Sequence, residues 1–169
     1  MALLREGHRC IVGIDEVGRG AWAGPVVAGA VAVPPEIYAN PLVLSDADDS
    51  KRVPARRRQA LADEILSVTS TAIGWVDAWL MDALGASEAT HLAMRTAVTA
   101  LASTTRDGAI DGPGWHARRA SGVARSAEIL LIDGYPIGNP PAPQRAIVRG
   151  DRECLAIACA SLVAKVARD

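Results

Sequence analysis

Four carboxylates occupy comparable places in this 169-residue chain. Asp15 and Glu16 end the apolar run Cys10–Ile14, Asp133 closes "AEILLID", and Asp151 closely follows the short run "RAIV". Any one of them alone reads as a solvated strand end. Together they suggest more, because ligand sites in an open α/β sheet form at the ends of its strands. Gathered there, each like-charged pair 4 Å apart would cost about 4 kcal/mol at an effective dielectric of 20. Protonation relieves that repulsion, and so does a divalent cation. An all-oxygen donor set without His or Cys suits Mg²⁺ or Mn²⁺. Two such ions can activate a water and stabilise the leaving oxygen in phosphodiester hydrolysis. Glu16 fits less simply. Successive strand side chains face opposite sides, so Asp15 and Glu16 aim alike only if the chain turns between them. Gly18-Arg19-Gly20 supplies a reason for the chain to leave the strand nearby.

The elements that must position these acids follow from the patterning. Residues 10–14 and 25–33 are β-rich runs joined through Gly18–Gly24, which predicts a hairpin. "PPEIYANPLVLSDADDSK" reads as a loop broken by prolines. Pro54 opens a helical stretch with apolar Ala60, Leu61, Ile65, Leu66 and Val68 at helical spacing, and "STAIGWVDA" reads as a third strand. A long helical region runs from about Trp79 to Leu101 with a break near Gly85. Residues 103–126 lose all periodicity and read as a loop projecting from the domain. "AEILLID" and "RAIV" are strands, and "ECLAIACASLVAKVARD" is an Ala-rich helix, apolar nearly all round and so expected to be buried. This order predicts one α/β domain over 1–169, built on a mixed sheet that is antiparallel early and parallel late.

Composition narrows the setting. Half the residues are hydrophobic, yet there is no Phe and there are only two Tyr, so the core must come from Ala, Val, Leu and Ile. A formal net charge of −1 gives no global attraction for a polyanion, so any nucleic-acid contact must rest on a local patch. Cys10, Cys154 and Cys159 are odd in number and match no zinc spacing, which predicts reduced core thiols and a cytoplasmic setting. No stretch approaches the roughly 20 apolar residues of a membrane helix. A monomer is expected.

Several stretches, in order along almost the whole chain, resemble the ribonuclease HII family. "GIDEVGRGAWAGPVVAGAV" is similar to its N-terminal signature, and "DDSKRVPARRRQAL" to a later segment and its following helix. "MDALGASEATHLAMRTAV", "LLIDGYP" and "VRGDRECLAIACASLVAKVARD" are similar to the rest of its pattern. The resemblance implies a ribonuclease H-like fold with a mixed five-stranded sheet flanked by helices. It implies endonucleolytic cleavage of RNA in RNA/DNA hybrids, and of single ribonucleotides in duplex DNA, with two Mg²⁺ or Mn²⁺ ions. The family's metal-binding acids carry over to Asp15, Glu16, Asp133 and Asp151. Gly18, Arg19 and Gly20 would follow the sugar-phosphate backbone and sense the 2′-hydroxyl, the group that separates RNA from DNA. Ser50 and Lys51 match further substrate contacts.

The chain also departs from that pattern. Arg149 stands where the family has Lys, Gly85-Ala86 replace an Asn-Ile pair, and 103–126 reads as an insertion. The match stops at Asp169, before a segment whose tyrosine stacks at the DNA–RNA junction and before a closing helix. The competing expectation is therefore a truncated, catalytically weak hybrid-binding remnant. Two further signals carry less. Gly18, Gly20 and Gly24 imitate a dinucleotide loop only loosely, and the adjacent acids would repel a pyrophosphate. The basic residues of Lys51–Arg58 sit at a helix start, where positive charge is disfavoured unless a phosphate is near. Arg118, Arg119 and Arg125 read as a solvated loop.

Overall fold

In a computed structural model, residues 2–21, 23–40, 42–103, 109–112, 115–118 and 127–169 are described. The first strand, β1 (Ile11–Val17), pairs antiparallel with β2 (Val26–Ala32), as the hairpin reading expects. β3 (Ser70–Val76) adds antiparallel to β2. On the other side of β1, β6 (Ile129–Asp133) and then β7 (Gln144–Ile147) are parallel to it. These five strands form the mixed sheet that was expected. Two short strands, β4 (Ala109–Gly112) and β5 (Trp115–Arg118), extend it, β5 pairing antiparallel with β3, for a described order β4-β5-β3-β2-β1-β6-β7.

That extension differs from the loop expected over 103–126. Four-residue strands are too short to show a period, and their order comes from docking on the open edge of β3 rather than from any local pattern. Arg119 and Arg125 lie outside the described residues. Two short helices, α1 (Ala2–Arg5) and α2 (Pro35–Ala39), carry equally little sequence signal, and α2 lies in the stretch read as a loop.

Helices cover both faces of the sheet. On one face lies α5 (Ala86–Ser103), preceded by α4 (Ala78–Leu84), with the expected break at Gly85, whose φ is 81°. Val12, Ile14, Ala28 and Ala30 pack there against Ala93, Met94 and Ala97. On the other face, α3 (Ala55–Val68) and α7 (Leu155–Arg168) pack against Val27, Val31 and Ile73. Every residue of α7 from Ala156 to Ala164 is buried, as its composition predicts.

Its small side chains let α7 press onto the strands, and the strands answer with glycine. A Cβ on Gly13 would fall 2.1 Å from the Ala156 carbonyl carbon, and one on Gly29 would fall 2.5 Å from the Ala160 carbonyl oxygen. On the opposite face, a Cβ on Gly74 would meet the Ala93 carbonyl oxygen at 2.4 Å. Only glycine permits such approach. No described helix is long and apolar enough to cross a membrane.

Candidate active site

The carboxyl ends of the parallel strands β1, β6 and β7 meet at one end of the sheet. Ile14 pairs with Ile132, so Asp15 and Asp133 are neighbours one step further along. After β7 the chain reverses through Arg149, held in the left-handed region at φ 58°, into the single turn α6 (Gly150–Glu153), which carries Asp151. Gly150 comes close enough to donate its backbone N–H to Asp133 Oδ1 at 2.7 Å. A Cβ there would strike Ile157 at 2.5 Å. α6 had no sequence signal apart from the acid itself.

β1 continues past both of its acids to Val17, still paired with Val27, so the chain does not turn between Asp15 and Glu16. They leave the strand on opposite faces. Asp15 hydrogen-bonds Ser161 on α7, whereas Glu16 also lines a space beside Thr90, His91 and Met94 of α5. Because both stand at the sheet's end, they still border one cleft. The turn comes at Gly18, whose φ is 98°. Arg168, at the end of α7, braces that turn by donating to the carbonyls of Pro25 and Ala23, each at 3.0 Å.

This cleft, of about 390 Å³, is lined by all nine residues singled out from sequence: Asp15, Glu16, Gly18, Arg19, Gly20, Ser50, Lys51, Asp133 and Asp151. Ser161, Lys165 and Arg168 also line it and were not foreseen. Ser161 did leave a trace, as the one hydroxyl in the otherwise apolar run Leu155–Ala164. Its hydroxyl lies 3.1 Å from that of Ser50. A hydroxyl has one proton to give, so with Asp15 ionised Ser161 donates to Asp15 and accepts from Ser50.

Asp49 anchors the Ser50–Lys51 segment. It is buried, accepts the Lys51 backbone N–H at 2.9 Å, and pairs with Arg152 of α6 at 3.1 Å. Burial raises its pKa, but these two partners outweigh that and hold it low. Most of the neighbouring basic run is engaged by the chain itself. Arg52 pairs with Asp48, Arg57 with Asp46, and Arg58 donates to the Ser50 and Val53 carbonyls. Of that run, Lys51 and not these arginines reaches the cleft.

Charge within the cleft is costly. Burial pushes the Asp15 carboxyl up to about 8. The bonds from Ser161 and the Glu16 amide oppose this, while the charges of Glu16 and Asp133 add to it. Glu16 is raised by burial and by Asp133 against the pull of Arg19 and Lys51, and Asp151 is raised by burial and by Asp133 and Asp49. Each of the three is raised by the charge of Asp133, which is what a site for a cation looks like when only its ligands are considered. Among the described residues, no three His, Cys, Asp or Glu side chains stand close enough to enclose an ion by themselves. Mg²⁺ keeps several waters and takes one or two carboxylates together with substrate oxygens. The donor set fits a hard divalent cation.

A mixed sheet with helices on both faces and acids at the ends of its central parallel strands defines a ribonuclease H-like domain. Solved structures share that fold. The ribonuclease H2 of Pyrococcus horikoshii superposes with a TM-score of 0.69 at 19% identity, covering 95% of this chain and 72% of its own. Bst-RNase HIII, solved in complex with Mn²⁺, superposes at 0.70 with 18% identity, covering 99% and 54%. The chain belongs to the ribonuclease HII family, which it matches over residues 12–169. It is 41% identical over 169 residues to the ribonuclease HII of Roseiflexus castenholzii, covering 99% of this chain and 66% of that relative. The chain thus spans about two thirds of the length of such relatives.

Proposed function

We propose that the chain carries the catalytic core of an endoribonuclease that hydrolyses RNA within RNA/DNA hybrids and single ribonucleotides embedded in duplex DNA. The observation that carries this reading is the meeting of four carboxylates with a glycine turn and Lys51 in one cleft. Asp15, Glu16, Asp133 and Asp151 hold two divalent cations, Mg²⁺ or Mn²⁺. When bound, these supply the charge that activates water and stabilises the leaving oxygen of a phosphodiester.

The chain's own groups do the rest. The Gly150 amide fixes Asp133, which lines the cleft, through Oδ1. The Glu16 amide, 2.8 Å from Asp15 Oδ1, orients Asp15 in the same way, and the Ser161 hydrogen bond favours its ionised form against the effect of burial. Among the described residues nothing lies within 4 Å of where a Gly20 Cβ would stand, so a sugar-phosphate backbone can lie directly against the Gly18–Gly20 peptides. A backbone that close can register a 2′-hydroxyl, while Arg19 and Lys51 balance the phosphates. Ser50 acts both on substrate and on Ser161.

The enzyme acts as a monomer in the cytoplasm. Its cysteines, few and odd in number, suit a reducing compartment. The test is a duplex with one embedded ribonucleotide, incubated with Mg²⁺, with Mn²⁺ and with chelator, beside an all-DNA duplex. Cleavage at the ribonucleotide that requires metal is the expected result. No cleavage there, or equal cleavage of the all-DNA duplex, would overturn the reading.

A further inference from the structure

Arg152 joins two parts of the site that lie 103 positions apart in the chain, by donating to Asp49 Oδ2 at 3.1 Å. We propose that Arg152 is a positioning residue. Its ion pair makes one unit of the turn carrying Asp151 and the segment carrying Ser50 and Lys51, so that cation binding and substrate binding strengthen each other through it. The proposal rests on the functional reading above and adds a link between its two halves. Neither Arg152 nor Asp49 is among the described residues that line the cleft, so their influence passes through the neighbours that do.

Both segments depend on such a tie. The turn α6 has four residues, too few to hold itself as a helix. The Gly150 amide fastens its start to Asp133, and Arg152 fastens its other side to Asp49. Asp49 divides its carboxylate between the two tasks. Its Oδ1 accepts the Lys51 backbone N–H at 2.9 Å, while Oδ2 accepts Arg152. One buried carboxylate therefore sets both the backbone at Lys51 and the place of α6. Close packing does not do this instead. Among the described residues a cavity of about 420 Å³ opens between the segments, lined by Ala47, Asp48 and Arg52 from one and by Asp151, Arg152 and Glu153 from the other. A second tie leaves the same segment from Ser50, through Ser161 at 3.1 Å, and runs on to Asp15. The segment Asp49-Ser50-Lys51 is thus fastened to metal-binding acids of two different elements, β1 and α6. A cation that fixes Asp15 and Asp151 fixes Lys51 with them. By linkage, a substrate phosphate held at Lys51 tightens the cation by the same factor.

The experiment compares the parent with Arg152→Gln and with the double variant Asp49→Asn, Arg152→Gln. The double variant removes one charge of each sign, strands no buried ion, and keeps an oxygen for the Lys51 amide, so it should fold even where the single variant does not. Titration calorimetry of Mn²⁺ into the metal-free double variant should give an affinity roughly 10- to 100-fold below the parent's, the range for groups that orient a metal ligand. On a one-ribonucleotide duplex in saturating Mn²⁺, its KM should rise roughly fivefold or more. Arg152→Gln alone should also weaken Mn²⁺ binding, although the loss of a nearby positive charge would by itself tighten it. Mn²⁺ affinity of the double variant within about twofold of the parent's overturns the proposal. If KM nevertheless rises, with a salt slope shallower by about 0.9, Arg152 is a phosphate contact instead. Tighter Mn²⁺ binding by Arg152→Gln overturns the proposal as well and leaves only a charge effect. A parent that binds no Mn²⁺ and leaves the ribonucleotide uncleaved removes the functional reading itself, which no result on the variants can do.

Discussion

Among the cleft acids, Asp133 is the most connected. It accepts the Gly150 amide, and its charge raises the pKa of Asp15, Glu16 and Asp151. Asp133→Asn keeps an oxygen to accept that amide and removes the charge, so it separates chemistry from folding. The variant should fold, with an unfolding temperature in the absence of metal equal to or above the parent's. Its cleavage in saturating Mg²⁺ should fall by more than the 10- to 100-fold typical of groups that only support a metal ligand. Cleavage at the parent's rate would remove Asp133 from the metal site. The acids themselves were legible in the sequence because each ends or follows an apolar run. Ser161 and Asp49 were not, although both brace the cleft. Ser161 reaches Asp15 across 146 positions, and Asp49 reaches Arg152 across 103, and contacts at such separations leave no local period. The opposed faces of Asp15 and Glu16 raised an objection in the sequence, and it disappears because the cleft lies at the end of the sheet.

Among the elements, α7 does most to set the geometry. It supplies Ser161, Lys165 and Arg168 to the cleft and lies on β1 and β2 at backbone contact. The sequence announced a buried Ala-rich helix. It did not announce that the glycines inside two strands mark where that helix passes close. Gly13→Ala tests that contact. Its Cβ would meet Ala156 backbone atoms at 2.1 and 2.3 Å, and backbone cannot rotate aside as a side chain can. The expected cost is about 1–3 kcal/mol or more, read as a lower denaturation midpoint with an unchanged slope. Gly20→Ala is the matched control, since nothing among the described residues lies within 4 Å of its Cβ position, and it should leave stability near the parent's. Equal midpoints for the two variants would mean that α7 stands off β1 further than described. The strands β4 and β5 mark the opposite limit. They exist because β3 has an edge to offer, and no reading of residues 103–126 alone contains that edge.

At the scale of the whole molecule, the cleft should make stability depend on pH and on metal together. With its pKa raised from 3.8 to about 8, Asp15 binds its proton more tightly in the folded chain than in the unfolded one. Between those two values the native state holds more protons, and stability falls as pH rises. The contribution is fully present below about pH 4 and is lost as pH climbs through 8. Glu16 and Asp151 are raised as well and act in the same direction. The metal-free protein should therefore unfold at progressively lower temperatures from pH 5 to pH 8. A divalent cation replaces the missing protons with its own charge, so saturating Mg²⁺ or Mn²⁺ should flatten the profile and help most at the alkaline end. At a hundred times its dissociation constant, a ligand that binds only the native state adds about 2.7 kcal/mol, which for a domain of this size is a rise of roughly 5–10 °C. Asp15→Asn should flatten the metal-free profile by removing the group most responsible for it, and should lose much of the rise on adding metal. Thermal unfolding of the parent and Asp15→Asn at pH 5, 6.5 and 8, with chelator and with Mn²⁺, measures all of this. A parent profile that rises with pH in chelator would show that burial and the neighbouring charges do not hold a proton on Asp15 in the folded chain.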